Sequence, residues 1–322
     1  MDPRILNPLI HIGYQKTGSS WLREHIFNRP DRGFSRFATP EDHINRGVAP
    51  GKRFAQKFFR NPDGELYAIG EFSPAKMREM LAQCELTDSG VPLLSWERLA
   101  GHPDTGGFLS KVMCERLALV FDSPKIFLAI REQKALIAAY YIDYLLMGGT
   151  LSLDDYIDPS CTNSPRFRKR FFLFHNLISM YQDTFGKENV LVLPYEMFCD
   201  EPTRYLKILA SFSGADIPDS LPVKSKVNFR VNTFFESKLR YMNLFSKRCS
   251  PYEYYPLYMG KFVEKLVRSL KRRLSEIMPD SVETNERARL KFAINEMIGE
   301  RFKESNLKTS ELIGIDLSKY NY

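Results

Sequence analysis

Cysteine is scarce in this chain: five residues in 322 (Cys84, Cys114, Cys161, Cys199 and Cys249), odd in number, far apart and without a C-x-x-C pair. That pattern excludes a disulfide framework and a thiolate zinc site, and the thiols are expected to be reduced. The five histidines (His11, His25, His43, His102, His175) show no metal-ligand spacing either, so no metal is expected. Long apolar runs are missing, and nothing approaches the roughly 18–20 residues of a membrane span. The opening residues carry an acid, Asp2, and two prolines, Pro3 and Pro8, with no apolar secretory core behind them. A cytoplasmic location is therefore expected. Internal repeats and low-complexity tracts are also absent. Neither sign of charge dominates: 46 basic residues stand against 39 acidic ones, a net of +7. So thin an excess suits an anionic ligand without calling for nucleic acid.

With 43% hydrophobic residues, the chain can bury a sizeable core unaided. Short apolar runs alternate with helical patterns, the signature of an α/β fold around a mainly parallel sheet. Strands are expected at Leu9–Gly13, Tyr67–Gly70, Val91–Ser95, Ile126–Arg131 and Val190–Pro194. Each is short and apolar enough to be covered on both faces. Helices are expected from Ser19, from a Ser73 cap with Pro74 at the first helical position, over Val112–Leu119, and from Lys134 to Met147 before Gly148 and Gly149. Two more are expected over Phe167–Phe185 and Glu201–Ser213, the second capped by Asp200. Pro222–Asn232 reads as a polar connector able to surround an anion, and the chain from about residue 220 onward reads as helical. One domain spanning 1–322 is expected, with 220–322 as a helical extension packed on it.

Between the first strand and the first helix runs Gly13-Tyr-Gln-Lys-Thr-Gly-Ser-Ser20. Two glycines separated by four residues, then serines, form the skeleton of a Walker A loop, G-x-x-x-x-G-K-[ST], with one change. Ser19 stands where the lysine belongs, and a lysine appears three residues earlier, at Lys16. The physics survives the change. Glycines let successive N–H groups converge on one anion, the helix start adds partial positive charge, and Lys16 adds a full one. A purely structural glycine–serine turn is the plainer account, and the order strand, lysine loop, helix weighs against it. A nucleoside-triphosphate kinase also needs an acid at the end of a second strand to hold magnesium. The matching strand here ends in Arg131, which would repel a metal ion and attract another phosphate.

These residues resemble the sulfotransferase family, nearest in style to its bacterial and carbohydrate-type members. Lys16-Thr-Gly-Ser-Ser-Trp-Leu22 is similar to the family's 5′-phosphosulfate motif over seven positions. Arg131 matches the arginine of its 3′-phosphate motif, where the serine expected eight residues on is Ala139. That donor's place would fall to Lys134 or to a residue of Lys224–Arg230. Val190–Glu196, Asp200–Pro202 and the end from Glu304 to Tyr320 add further similarity. The resemblance implies a P-loop-like three-layer α/β fold with about five strands. It also implies a sulfotransferase using 3′-phosphoadenosine 5′-phosphosulfate as co-substrate and no metal. Donor-binding residues would be Lys16, Thr17, Gly18, Ser19, Ser20, Trp21 and Arg131. A P-loop nucleotide kinase and a non-catalytic nucleotide-binding relative are the alternatives.

Sulfuryl transfer needs charge stabilisation at the leaving oxygen, a task for Lys16, and a base for the acceptor's proton. Glu71, between a strand and the Ser73–Pro74 helix start, is the first choice, with Glu97 the alternative. His11, inside a strand, reads as a buried structural side chain, and a structural role is also expected for His25 on the loop helix. The acceptor is expected to be a glycan, lipid or small molecule. The aromatic residues Tyr140, Tyr141, Tyr144, Phe171, Phe172 and Phe174 read as core. Lys261–Leu274 forms a basic amphipathic pattern, expected to pack on the core, with contact to an anionic membrane as the alternative.

Overall fold

The computed structural model describes residues 2–38, 72–101, 106–107, 109–146, 148–158, 168–218, 240–241, 243 and 280–322. The expected strand at 67–70, Glu71, the connector 222–232 and the basic segment 261–274 lie outside the described residues.

Among the described residues six strands form one sheet: β1 (Leu9–His11), β2 (Phe34–Ala38), β3 (Glu85–Leu86), β4 (Val91–Ser95), β5 (Lys125–Ile130) and β6 (Val190–Pro194). Their order is β3-β2-β4-β1-β5-β6, parallel throughout except for the short β2–β3 pair. Two of these are not among the expected strands, the two-residue β3 and the longer β2. Its residues, Phe-Ser-Arg-Phe-Ala, break the continuous apolar run that marks a central parallel strand. It lies one place from the edge, beside the two-residue β3. β1 is shorter than expected, ending at His11 before the loop begins.

Side chains alternate across a strand, and this sheet buries both faces. One face presents Ile10, Leu94, Ile126, Leu128 and Ile130 to a core shared with α2 (Pro74–Ala82), α3 (Ser110–Val120), α4 (Gln133–Leu146) and α6 (Phe174–Phe185). Leu9, Phe34, Leu93, Phe127 and Leu193 point the other way. They meet α1 (Ser19–Leu22), the π-helical turn Arg23–Phe27 that continues it, α7 (Tyr195–Asp200) and α8 (Pro202–Ser213). The short α5 (Leu153–Ile157) adds Leu153, Tyr156 and Ile157 to the first core. The result is a three-layer α/β sandwich. Helix α9 (Asp280–Ile298) packs on α4, and α10 (Lys303–Ile313) lies along α6, followed by a 3-10 turn, Leu317–Tyr320.

The start of α2 follows its local chemistry. Ser73 accepts a hydrogen bond from the Lys76 N–H with Pro74 at the first helical position. Two expectations need correction. Asp200 does not cap α8: it ends α7, and Glu201 takes the cap position before Pro202, whose missing N–H suits a first turn. The helix expected over Phe167–Phe185 is divided. A 3-10 turn spans Lys169–Phe172, Leu173 adopts ψ 80°, and the α-helix begins at Phe174. The break lets Phe171, Phe172 and Phe174 all bury their rings. Tyr140, Tyr141 and Tyr144 are core residues as well.

Candidate active site

The loop after β1 keeps alongside β5 for two residues, with the Ile12 N–H donating to the Phe127 carbonyl at 2.9 Å and the Tyr14 N–H to Ala129 at 3.2 Å. It then curls. Lys16 takes φ 67° and Gly18 φ 85°, two left-handed positions within three residues. Such a conformation suits glycine and strains lysine. The turn is held from within by Thr17, whose buried hydroxyl donates to the Tyr14 carbonyl. Gly18 is required twice over: a Cβ there would lie 3.2 Å from the Tyr195 ring, besides facing the left-handed φ. Gly13 is also tightly placed, with a hypothetical Cβ 2.9 Å from His11 Nε2 and 3.1 Å from the Ala129 nitrogen.

Lys16 is held at both ends by one strand–helix unit. Arg131, just past β5, donates from Nη1 to the Lys16 carbonyl at 3.0 Å. From α4, Asp143 Oδ1 accepts from the Lys16 ammonium at 2.7 Å. The Arg131 guanidinium also stacks 5.0 Å from the centre of the Tyr195 ring. Tyr195 therefore forms a shelf between Arg131 and Gly18. The loop and the arginine strand end, separate in sequence, meet in one place.

On the other side of the loop, Ser19 donates its hydroxyl to Glu97, which also pairs with Arg23 from the π-helical turn. Burial alone would raise the Glu97 carboxyl. The Arg23 charge, the Ser19 hydrogen bond and nearby His11 outweigh it and hold the group below its ordinary value. His11 is fully buried beneath this cluster, stacked on Phe127 and sharing a 2.8 Å hydrogen bond between Nδ1 and Ser95 Oγ. Burial, first of all, lowers it to about 4, so it is neutral at pH 7. Ser20 accepts from Arg23 at 3.3 Å, and Trp21 packs between His25 and Phe198 with ring centres 4.6 and 4.9 Å away. His25 bonds through Nδ1 to the Trp21 carbonyl at 3.1 Å.

The shelf is braced from below. Glu196, next to Tyr195, accepts from the Glu132 N–H at 3.1 Å and from the Tyr322 hydroxyl at 2.9 Å, while burial raises its carboxyl above the usual range. Glu132 accepts from the N–H groups of Lys134 and Ala135 and so closes the first turn of α4. Lys134 occupies that first turn, and Ala139, half-buried on α4, offers no hydroxyl.

The structure thus gathers Lys16, Thr17, Gly18, Ser19, Ser20, Trp21, Arg131 and Glu97 around one loop. Sequence reasoning missed Asp143, Arg23, Tyr195 and Glu196. A signal existed for Asp143, the sole acid in an otherwise largely apolar helix. Among the described residues, no group of three or more His, Cys, Asp or Glu could hold a metal ion. No described helix is long and apolar enough to cross a membrane.

No protein-family model matches the chain, and no curated protein matches it. Solved structures similar to it include a sulfotransferase from Alicyclobacillus acidocaldarius, at 12% identity over 98% of this chain and 99% of that one, with a TM-score of 0.49. Others are the sulfotransferase domain of the Synechococcus PCC 7002 olefin synthase (13% identity, 85% and 97% covered, TM-score 0.37) and a mouse sulfotransferase complexed with PAP (13%, 88% and 89%, 0.34).

Proposed function

We propose that this chain transfers a sulfuryl group from 3′-phosphoadenosine 5′-phosphosulfate to a hydroxyl or amine of a glycan, lipid or small-molecule acceptor. The observation that carries the reading is the bond from Arg131 to the Lys16 carbonyl. It brings a cation to the strand end beside the anion loop, where a nucleoside-triphosphate kinase would carry an acid for magnesium.

In this reading the loop N–H groups of Thr17–Ser20 and the Ser20 hydroxyl hold the 5′ end of the donor, and Arg131 on its Tyr195 shelf meets the 3′-phosphate. The acceptor oxygen forms its bond to sulfur as the bond from sulfur to the phosphate oxygen breaks. The phosphate keeps the electron pair, and Lys16 balances the charge that develops there. A carboxylate takes the acceptor's proton. Glu71 is the proposed base. Glu97 is the alternative, and its engagement by Arg23 and Ser19 makes it the weaker base of the two. The reading needs no metal and no nucleic acid partner, and it keeps the cytoplasmic placement expected from the sequence.

Calorimetry with adenosine 3′,5′-bisphosphate against ATP plus magnesium tests the proposal. Binding of the bisphosphate, weakened about tenfold or more by Arg131→Ala, is the expected result. Preference for ATP with magnesium would sink it.

A further inference from the structure

Asp143 belongs neither to the loop nor to the arginine strand end, yet its carboxylate meets the ammonium on which the proposed transfer depends, at 2.7 Å. Its side chain is 21% exposed and that of Lys16 is 32% exposed. The pair is therefore neither buried salt nor a fully solvated surface contact. A charge on a largely apolar helix is costly unless it is partnered, and this one is partnered by a residue whose own backbone is strained at φ 67°. α4 starts two residues after Arg131, so a single strand–helix unit grips Lys16 by carbonyl and ammonium together.

An incoming phosphosulfate would find the lysine already neutralised. To engage Lys16, an anionic oxygen must displace the Asp143 carboxylate or share the ammonium with it, with two negative groups then side by side. We propose that Asp143 is a positioning residue: the built-in counter-ion of Lys16, which fixes the ammonium while the site is empty, yields it to the donor, and reclaims it as the bisphosphate product leaves. This rests on the sulfotransferase reading and adds to it a control on donor and product affinity. A free lysine side chain spreads over many rotamers, so holding it ready has a direct structural purpose.

The consequence runs opposite to that of an ordinary binding residue. Removing the charge of Asp143 should strengthen binding of the anion. Isosteric Asp143→Asn is expected to bind adenosine 3′,5′-bisphosphate about three- to fivefold more tightly, the range set by partly exposed ion pairs. Asp143→Glu, which keeps the charge, should stay near the starting affinity. In turnover, Asp143→Asn should lower KM for the donor and kcat together, since product is held longer. The gain in affinity should vanish in a Lys16→Ala background, closing a double-mutant cycle on the pair. Equal or weaker binding by Asp143→Asn would overturn the proposal, as would a gain of the same size without Lys16, which would mark only a change in overall charge. Running the same cycle with inorganic pyrophosphate judges the counter-ion role without the adenosine. A protein that ignores the bisphosphate but shows the cycle with pyrophosphate would lose the sulfotransferase reading and keep this one.

Discussion

At the scale of single residues, the site depends on a few backbone positions and buried charges that tolerate little change. Gly18 combines a left-handed φ of 85° with a ring 3.2 Å from its missing Cβ. Gly18→Ala is expected to lose about 1–2 kcal/mol of stability from the backbone alone, read by thermal unfolding, and to displace the Tyr195 shelf so that bisphosphate binding falls more than tenfold. Glu97 and His11 give the fold a shared acid sensitivity. The folded Glu97 carboxyl lies below its ordinary value of 4.5, so its stabilisation is complete above that pH and is lost as pH falls through the lower, folded value. His11, lowered to about 4 from 6.5, is neutral in the fold; the unfolded chain takes up its proton first, and stability drops as pH falls between those values. Replacing Arg23 by methionine removes the main charge that holds Glu97 down. Burial then dominates, and the acid unfolding midpoint should move to higher pH, measured by circular dichroism across a pH series.

At the scale of elements, the strand, loop and helix around Lys16 were legible because each had a local cause: an apolar run, glycines at the turn, and serines entering the helix. β4 and β6 match their expected limits for the same reason. β2 was not legible, since a strand beside a two-residue edge partner needs no continuous apolar run. Nor was the Asp143 contact, which joins residues 127 apart in sequence and depends on how α4 is set against the loop. Arg131 could be read as a cation at a strand end, but not as a donor to the Lys16 carbonyl. The brace under α7 is another long-range feature, joining Tyr322 to Glu196 across 126 residues. Tyr322→Phe leaves a half-buried carboxyl short of one donor and is expected to lower stability by about 1 kcal/mol. It should also loosen the ring under Arg131, weakening bisphosphate binding while Lys16 stays in place. Unchanged binding and unfolding temperature would show that the brace does not bear on the site.

At the scale of the whole molecule, the sheet divides two cores that meet different tasks. The face built on α2, α3, α4 and α6 is the larger and collects the C-terminal helices through Leu290, Ile294, Ile298 and Phe302. The opposite face is smaller and carries the loop helix together with α7 and α8. The site lies where strands β1, β4 and β5 end, at the place where open α/β sheets bind ligands. The chain has two tryptophans, Trp21 and Trp96, one in each core. Trp21 follows the loop serines with its ring stacked on His25, and Trp96 precedes Glu97 with its backbone N–H donating to the His11 carbonyl at 3.1 Å. Both residues are only 6% exposed. One of the two emitters, Trp21, therefore sits directly behind the loop serines, so ligand arrival and departure can be followed by unlabelled stopped-flow fluorescence.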